Sequence, residues 1–348
     1  MGRLKSRIDS ALAAHLSAVI ERMASIDPIG ASDARVISAF VMNGGKRLRP
    51  ALVAIGYTAC SGRDWEEVIS AAISTELFHA FFLIHDDIMD RSDLRRGAPT
   101  VHRVFQHMLG TNCTSPLSDI EHFAHSRAIL AGDLCCQMAY DALLESPFPP
   151  DVILRAQRHM RMMAEATIVG QVLDMEPGEA SEASVTKIQV LKTARYSVEA
   201  PLHLGMIFAG ASDDDLEAMT AFARPVGIAY QLWDDWLGIY GSEQEVGKPV
   251  TSDLQERKKT LFTVFVREHG SDEQRARLAT IFGKREVTEA DLDQARVLFH
   301  ECGAVAYSEN RARSLVAEGK AALKGMHISP WGCAILSEIA DFTINRNV

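Results

Sequence analysis

Positive charge is in short supply: 36 lysines and arginines face 46 aspartates and glutamates over 348 residues, a formal net charge of −10. A nucleic-acid partner needs a dominant basic surface, so that class of function is excluded. Cysteine is scarce as well. The six present (Cys60, Cys113, Cys135, Cys136, Cys302 and Cys333) show neither CxxC spacing nor the density of a disulfide scaffold, and they read as reduced thiols filling small core positions. Long uncharged runs are missing too. The most apolar segment, from Thr75 to Ile84, ends at an acidic pair before the roughly 18 residues of a membrane helix accumulate. The N-terminal MGRLKSRIDSALAAHL lacks the apolar run and cleavage site of a signal peptide and reads as the start of an amphipathic helix. A cytoplasmic protein with no integral membrane segment is the expectation. Alternating strand patterns and hairpin signals are few.

What remains is helical. Hydrophobic residues make up 47% of the chain, enough for a large globular core, and helical periodicity runs almost throughout. Breaks fall at Asp27-Pro28, Asn43-Gly44-Gly45, Arg96-Gly97, Pro147 to Pro150, Pro177-Gly178, Gly241 to Pro249 and Ser329-Pro330. No segment has the composition of a flexible linker, and no fixed-period repeat is present. The expectation is an all-α fold, a single domain over residues 1–348, with helices surrounding a central cavity. Pro201, inside a helical pattern, predicts a kink. Thr111 to Glu121 reads as a surface loop.

Two acidic pairs interrupt this pattern, Asp86-Asp87 in HDDIMD and Asp234-Asp235 in QLWDDW. Ile84, Ile88 and Met89 flank the first, and Leu232, Trp233, Trp236 and Leu237 the second. Uncompensated carboxylates in such surroundings are costly, and divalent cations, which in turn bind diphosphate, are compensation of the right kind. Asp86 and Asp90 stand four residues apart, on one helical face. A lone DDxxD is ordinarily a solvated face. Here an apolar run, FHAFFLIH, precedes it, and Arg91, Arg95 and Arg96 follow, placing planar cations beside the acids.

Two further basic elements accompany it. Gly44 to Pro50, GGKRLRP, alone would read as a helix-start loop with solvated cations, and in this company it reads as a metal-free grip on phosphate. Gly247 to Thr260, GKPVTSDLQERKKT, reads as a mobile loop whose Lys248 and Lys258 close over metal-bound phosphate and exclude water. Gln171 and Asp174 in GQVLDM, and Lys192-Thr193 in LKTARYS, are polar insertions that taken singly fit helix caps or solvated positions. His79 and His85, taken singly, are hydrogen-bonded core residues.

The ordered set GGKRLRP, HDDIMDRSDLRRG, GQVLD, LKTARYS, QLWDD and GKPVTSDLQERKKT, spanning residues 44 to 260, resembles the trans-isoprenyl diphosphate synthases, the polyprenyl synthetase family. The resemblance implies that an allylic carbon–oxygen bond breaks to a carbocation, which the double bond of isopentenyl diphosphate attacks before a proton leaves. It implies magnesium, about three ions per site, with Asp86 and Asp90 as ligands, Asp87 in support, and Asp234 with neighbouring Asp235 taking the third. Arg95, Lys192, Lys248 and Lys258 look like contacts to the allylic diphosphate. Lys46, Arg49, His79 and Arg96 look like the metal-free isopentenyl diphosphate pocket. Thr193 and Gln231 resemble the neutral dipoles facing the carbocation, and Gln171 and Asp174 the element supporting the metals and lysines. A homodimer is implied. One departure stands out: the second acidic motif commonly ends in a third aspartate, and this chain has Gly238.

Phe81 and Phe82 lie about one helical turn before Asp86, and they resemble the floor that stops product growth in farnesyl diphosphate synthases. Their bland reading is core packing. A fifteen-carbon product is expected slightly ahead of a twenty-carbon geranylgeranyl one. The rivals are a terpene cyclase, which would not need Lys46, Arg49 and Arg96, and a non-catalytic regulatory subunit, which would not need its aspartates.

Overall fold

Ile8, Leu12, Leu16 and Val19 recur at helical spacing, so they fall on one face of the Gly2–Ile26 helix, and all four are buried. The same patterning extends through the computed structural model, which describes residues 2–110, 116–243 and 250–345 and is almost wholly helical. Helix starts follow local chemistry. Asp27 caps Pro28–Met42, whose proline is the first helical residue, and capping boxes at Ser212, Ser271 and Thr288 open Asp213–Tyr240, Asp272–Phe282 and Glu289–Glu301.

The chain clusters into two compact units, Met1–Ala54 with Arg63–Gln157, and Ile55–Gly62 with Arg158–Val348. At the centre of the first lies Ile69–Met89, packed along Leu117–Leu144. Over Ile69 to Phe78 it is buried on nearly every side, and from His79 onward it becomes half-exposed. The span Trp65–Met89 is longer than the apolar segment from Thr75 to Ile84 and is long and apolar enough to cross a membrane by length and composition, but 67% of its most apolar stretch is buried inside the fold. Glu76, the charge within that stretch, is met by Arg47 at 2.8 Å.

Two local features differ from expectation. Leu94–Arg95 pairs antiparallel with Ala98–Pro99 in a small hairpin, whose two-residue loop, Arg96-Gly97, has φ of 53° and 71°. That is a type I′ turn, hard to anticipate because Arg stands where Asn or Asp usually signals it. The loop expected as far as Glu121 is shorter, since Pro116 sets an extended entry (φ −53°, ψ 148°) and the helix runs from Leu117 with Asp119 in its first turn. Residues 111–115 lie outside the described residues.

In the second unit Asp213–Tyr240 is central, packed by Gln189–Glu199, Ala304–Ala322 and Pro330–Ile344. The irregularity expected near Pro201 takes the form of a widened helix. Gln189–Glu199 is π-wound, with the Ala200 N–H donating to the Arg195 carbonyl five residues back. A proline has no N–H and its ring crowds the carbonyl four residues earlier, so the wider turn accommodates it. Among the described residues Cys60, Cys135, Cys136, Cys302 and Cys333 are free, and burial pushes the Cys60 thiol up to about 11.

His102 and His203 are almost inaccessible, and burial takes each from 6.5 down to about 4. The unfolded chain binds these protons near 6.5 while the folded chain resists them until about 4, so stability held above that window drains away as pH falls through it. The melting temperature should therefore fall steadily from pH 6.5 to 4, with His203 alone removing on the order of 3 kcal/mol. A flat profile would show that these histidines titrate normally.

Candidate active site

The last turn of Ile69–Met89 presents the first acidic group. Asp86 is half-buried, Asp87 is fully buried, and Asp90 caps the helix with its N–H on the Asp86 carbonyl at 2.8 Å, which keeps the one-turn relation of Asp86 and Asp90. Asp87 is committed elsewhere: its Oδ1 accepts from Arg95 Nε at 2.9 Å and Nη2 at 2.5 Å. Burial opposes the Arg95 charge, but Asp87, helped by Asp86 and Asp90, holds the guanidinium above its ordinary range. Arg95 is thus fixed by a carboxylate, its side chain 24% exposed.

A magnesium ion fits this donor set. Magnesium prefers one or two carboxylates, waters and substrate phosphate oxygens to an all-protein cage. Two half-exposed carboxylates one turn apart supply the protein's share, and among the described residues no three acidic, histidine or cysteine side chains form a closed cage.

Around the same helix stands a cluster of cations. His79 faces Arg49, Arg96, Arg95 and Arg47, and burial followed by these charges takes it well below 6.5, so its imidazole is neutral at physiological pH. Arg96 donates to the Gly44 carbonyl at 3.2 Å, joining the hairpin to the glycine turn before exposed Lys46 and half-buried Arg49. Deeper along the helix, Phe81 and Phe82 pack at 4.6 Å between ring centroids, with buried Phe78 5.9 and 6.0 Å from them and Tyr140 5.3 Å from Phe78. His85 stacks edge-on to Phe81 at 5.0 Å and hydrogen-bonds the Ile129 carbonyl.

In the second unit the π-wound Gln189–Glu199 carries Lys192 and Thr193. Gly170 lets the Pro150–Met175 helix touch this backbone, because a Cβ there would stand 2.4 Å from Lys192 N. Lys192 Nζ donates to Asp174 at 2.6 Å, and half-buried Gln171 stands one turn before Asp174 on the same helix. Thr193 donates to Gln231 Oε1 at 2.7 Å, and Gln231 Nε2 donates to Asp235 at 2.8 Å, with Gln189 Nε2 3.4 Å from the other oxygen. Asp235 is buried and Asp234 half-exposed. Burial raises Asp235 to about 7, with nearby Asp253 and Asp234 adding to the rise. Asp234 is therefore the more accessible carboxylate of the pair.

Gly238 has a physical reason. A Cβ at this position would stand 2.0 Å from Oδ2 of Asp253, a buried carboxylate whose other oxygen accepts from Lys258 Nζ at 2.9 Å. The carboxylate missing at 238 has its place filled from the downstream segment. Burial works against the charge of Lys258, and Asp253 and Glu256 carry it well above 10.5. Lys259 donates to the Leu173 carbonyl at 3.2 Å and to that of Glu176, at the end of the helix bearing Gln171 and Asp174. Lys248 lies outside the described residues.

Sequence reasoning missed Asp9, Glu76, Gln189 and Asp253. Glu76 carried a signal, a lone carboxylate in an otherwise apolar run, and Asp253 lay inside a motif already singled out. We expect Gly238→Ala to lower stability by about 1–3 kcal/mol, read as a depressed melting temperature. A fully stable Gly238→Ala would show that Asp253 moves aside freely.

Comparison with known proteins extends these observations. The sequence model of the polyprenyl synthetase family matches residues 34–298. A geranylgeranyl diphosphate synthase of Methanosarcina mazei is 33% identical over 305 residues, 87% of this chain and 86% of that protein. A (2E,6E)-farnesyl diphosphate synthase of Mycobacterium tuberculosis is 32% identical over 314 residues, 87% of this chain and 80% of that protein. Among solved structures, a geranylgeranyl pyrophosphate synthase from Corynebacterium glutamicum, complexed with isoprenyl diphosphate and magnesium, superposes with a TM-score of 0.91 at 33% identity, covering 98% of each chain.

Proposed function

We propose, from the premise that this chain belongs to the polyprenyl synthetase family, that it joins isopentenyl diphosphate to an allylic diphosphate and releases diphosphate and a longer trans-prenyl diphosphate. It is a trans-isoprenyl diphosphate synthase, a prenyltransferase of the short-chain type. The observation that most supports the reaction is the end of Ile69–Met89, where Asp86 and Asp90 open together while Asp87 is committed to Arg95.

Asp86, Asp90 and Asp234 hold magnesium in this reading, with Asp87 and Asp235 in support. Magnesium, when bound, neutralises the departing diphosphate. Arg95, Lys192, Lys248 and Lys258 bind that group, and Gln171 with Asp174 sets Lys192. Lys46, Arg49, Arg96 and neutral His79 hold isopentenyl diphosphate. The Thr193 hydroxyl donates its hydrogen bond to Gln231 Oε1, which leaves its oxygen lone pairs for the developing cation. No nucleophilic side chain is required, and the released diphosphate accepts the final proton. The whole chain acts as one domain, in a cytoplasmic homodimer, and exposed Phe123 (59%) and Leu130 (65%) on Leu117–Leu144 support a helix-to-helix interface.

For product length we propose farnesyl diphosphate ahead of geranylgeranyl diphosphate, on the aromatic stack of Phe82, Phe81 and Phe78 below Asp86. Incubating the purified chain with magnesium, isopentenyl diphosphate and dimethylallyl, geranyl or farnesyl diphosphate should yield prenyl diphosphates by chromatography. No product from any primer would defeat the reading. Asp86→Ala should lower kcat on the order of 1,000-fold. Phe81→Ala and Phe82→Ala should lengthen the product by one or more five-carbon units, and a parental product from both would put the floor elsewhere.

A further inference from the structure

None of the roles above uses Arg47, yet it is the one buried lysine or arginine among the described residues, 2% exposed. Its φ of 53° is a conformation that side chains adopt only when the surroundings impose it. The surroundings are two carboxylates. Nε donates to Asp9 on Gly2–Ile26 at 2.8 Å, and Nη1 donates to Glu76 on Ile69–Met89 at 2.8 Å. Asp9 is shared with Lys5, also at 2.8 Å.

Glu76 reaches further. The same Oε1 lies 3.9 Å from Arg96 Nη2, and Arg96 Nη1 donates to the Gly44 carbonyl, three residues before Arg47. The contacts close a ring through Gly44, Arg96, Glu76, Arg47 and back along the chain. Lys46 lies within the segment so enclosed, and Arg49 follows two residues after Arg47, in the first turn of Leu48–Ser61. The ring also answers an electrostatic problem, because Arg47, Arg49, Arg95 and Arg96 all act on His79 and repel one another. Glu76, with its side chain 4% exposed, is the carboxylate within reach of two of them.

We propose that Arg47 is a positioning residue for the isopentenyl diphosphate pocket: braced by Asp9 and Glu76, it fixes the turn presenting Lys46 and Arg49 and, through Glu76, the guanidinium of Arg96, without touching substrate. The proposal rests on the pocket assigned under the proposed function. It makes the first helix part of the binding apparatus, since Asp9 is the outer anchor.

The test separates KM for isopentenyl diphosphate, KM for the allylic substrate, kcat and melting temperature in wild type, Arg47→Gln, Arg47→Lys and Asp9→Asn. Arg47→Gln should raise the isopentenyl diphosphate KM about tenfold or more and leave the allylic KM within about twofold. Arg47→Lys should not restore it, because an ammonium cannot fork to two carboxylates. Asp9→Asn, at a partly exposed anchor, should shift the same KM about two- to threefold. An equal rise in both KM values, or a lower melting temperature with parental KM values, overturns the proposal. If Arg47→Gln does not fold, the KM split in the other two variants decides it in the same way. A wild type that makes no prenyl product is a failure of the assigned reaction. Calorimetric binding of isopentenyl diphosphate without magnesium then decides the positioning role separately: weaker binding by the variants supports it, and unchanged binding, or none by the wild type, overturns it.

Discussion

A charge inside an apolar helix survives only with a partner, and that constraint organises everything distinctive about this molecule. Ile69–Met89 is strongly apolar and buried on nearly every side over its first half, yet it carries Glu76, Asp86 and Asp87 and is capped by Asp90. Glu76 is answered by Arg47, and Asp87 by Arg95. Asp86 and Asp90 stand at the half-exposed end, within reach of solvent. In the second unit Asp253 is answered by Lys258, Asp235, raised to about 7 by burial, accepts from Gln231, and Asp234 is half-exposed. In each unit a buried carboxylate with its partner stands beside a more exposed one.

The same pairing fixes the backbone in unusual places. The non-glycine residues with positive φ among those described are Arg47, Arg91, Arg96 and Arg257, all arginines and all within the basic elements. Left-handed arginines carry strain, and strain of this kind persists where the surroundings over-determine it. Arg47 is gripped by two carboxylates, and Arg96 sits in a two-residue hairpin turn with its guanidinium on the Gly44 carbonyl. A loop fixed this way presents its cations at set separations, which is preorganisation.

Much of this was legible in the sequence, for identifiable reasons. Helical periodicity and breaks at Pro and Gly gave the all-α class directly, and the spacing of Asp86 and Asp90 gave their shared face. The hairpin at Leu94–Pro99 was not legible, because Arg-Gly is a weak turn signal. The π winding of Gln189–Glu199 was legible only as a disturbance around Pro201, since its form depends on how the neighbouring helices pack. Gly238 was visible as a departure, but its cause was not, because Asp253 meets it from fifteen residues downstream. Asp9 and Arg47 are 38 residues apart and could be joined only by tertiary structure.

If bare cations around Arg96 and Lys46 hold one diphosphate while Asp86, Asp90 and Asp234 hold the other through magnesium, the two substrates must differ in their need for metal. Isothermal titration of the wild-type chain with isopentenyl diphosphate, and separately with an unreactive allylic diphosphate analogue, each with magnesium and with chelator, measures this directly. Isopentenyl diphosphate should bind within about twofold in either condition, and the allylic analogue should lose at least about 100-fold without metal. A parallel loss of both affinities on chelation would contradict the division between a metal site and a metal-free cation site.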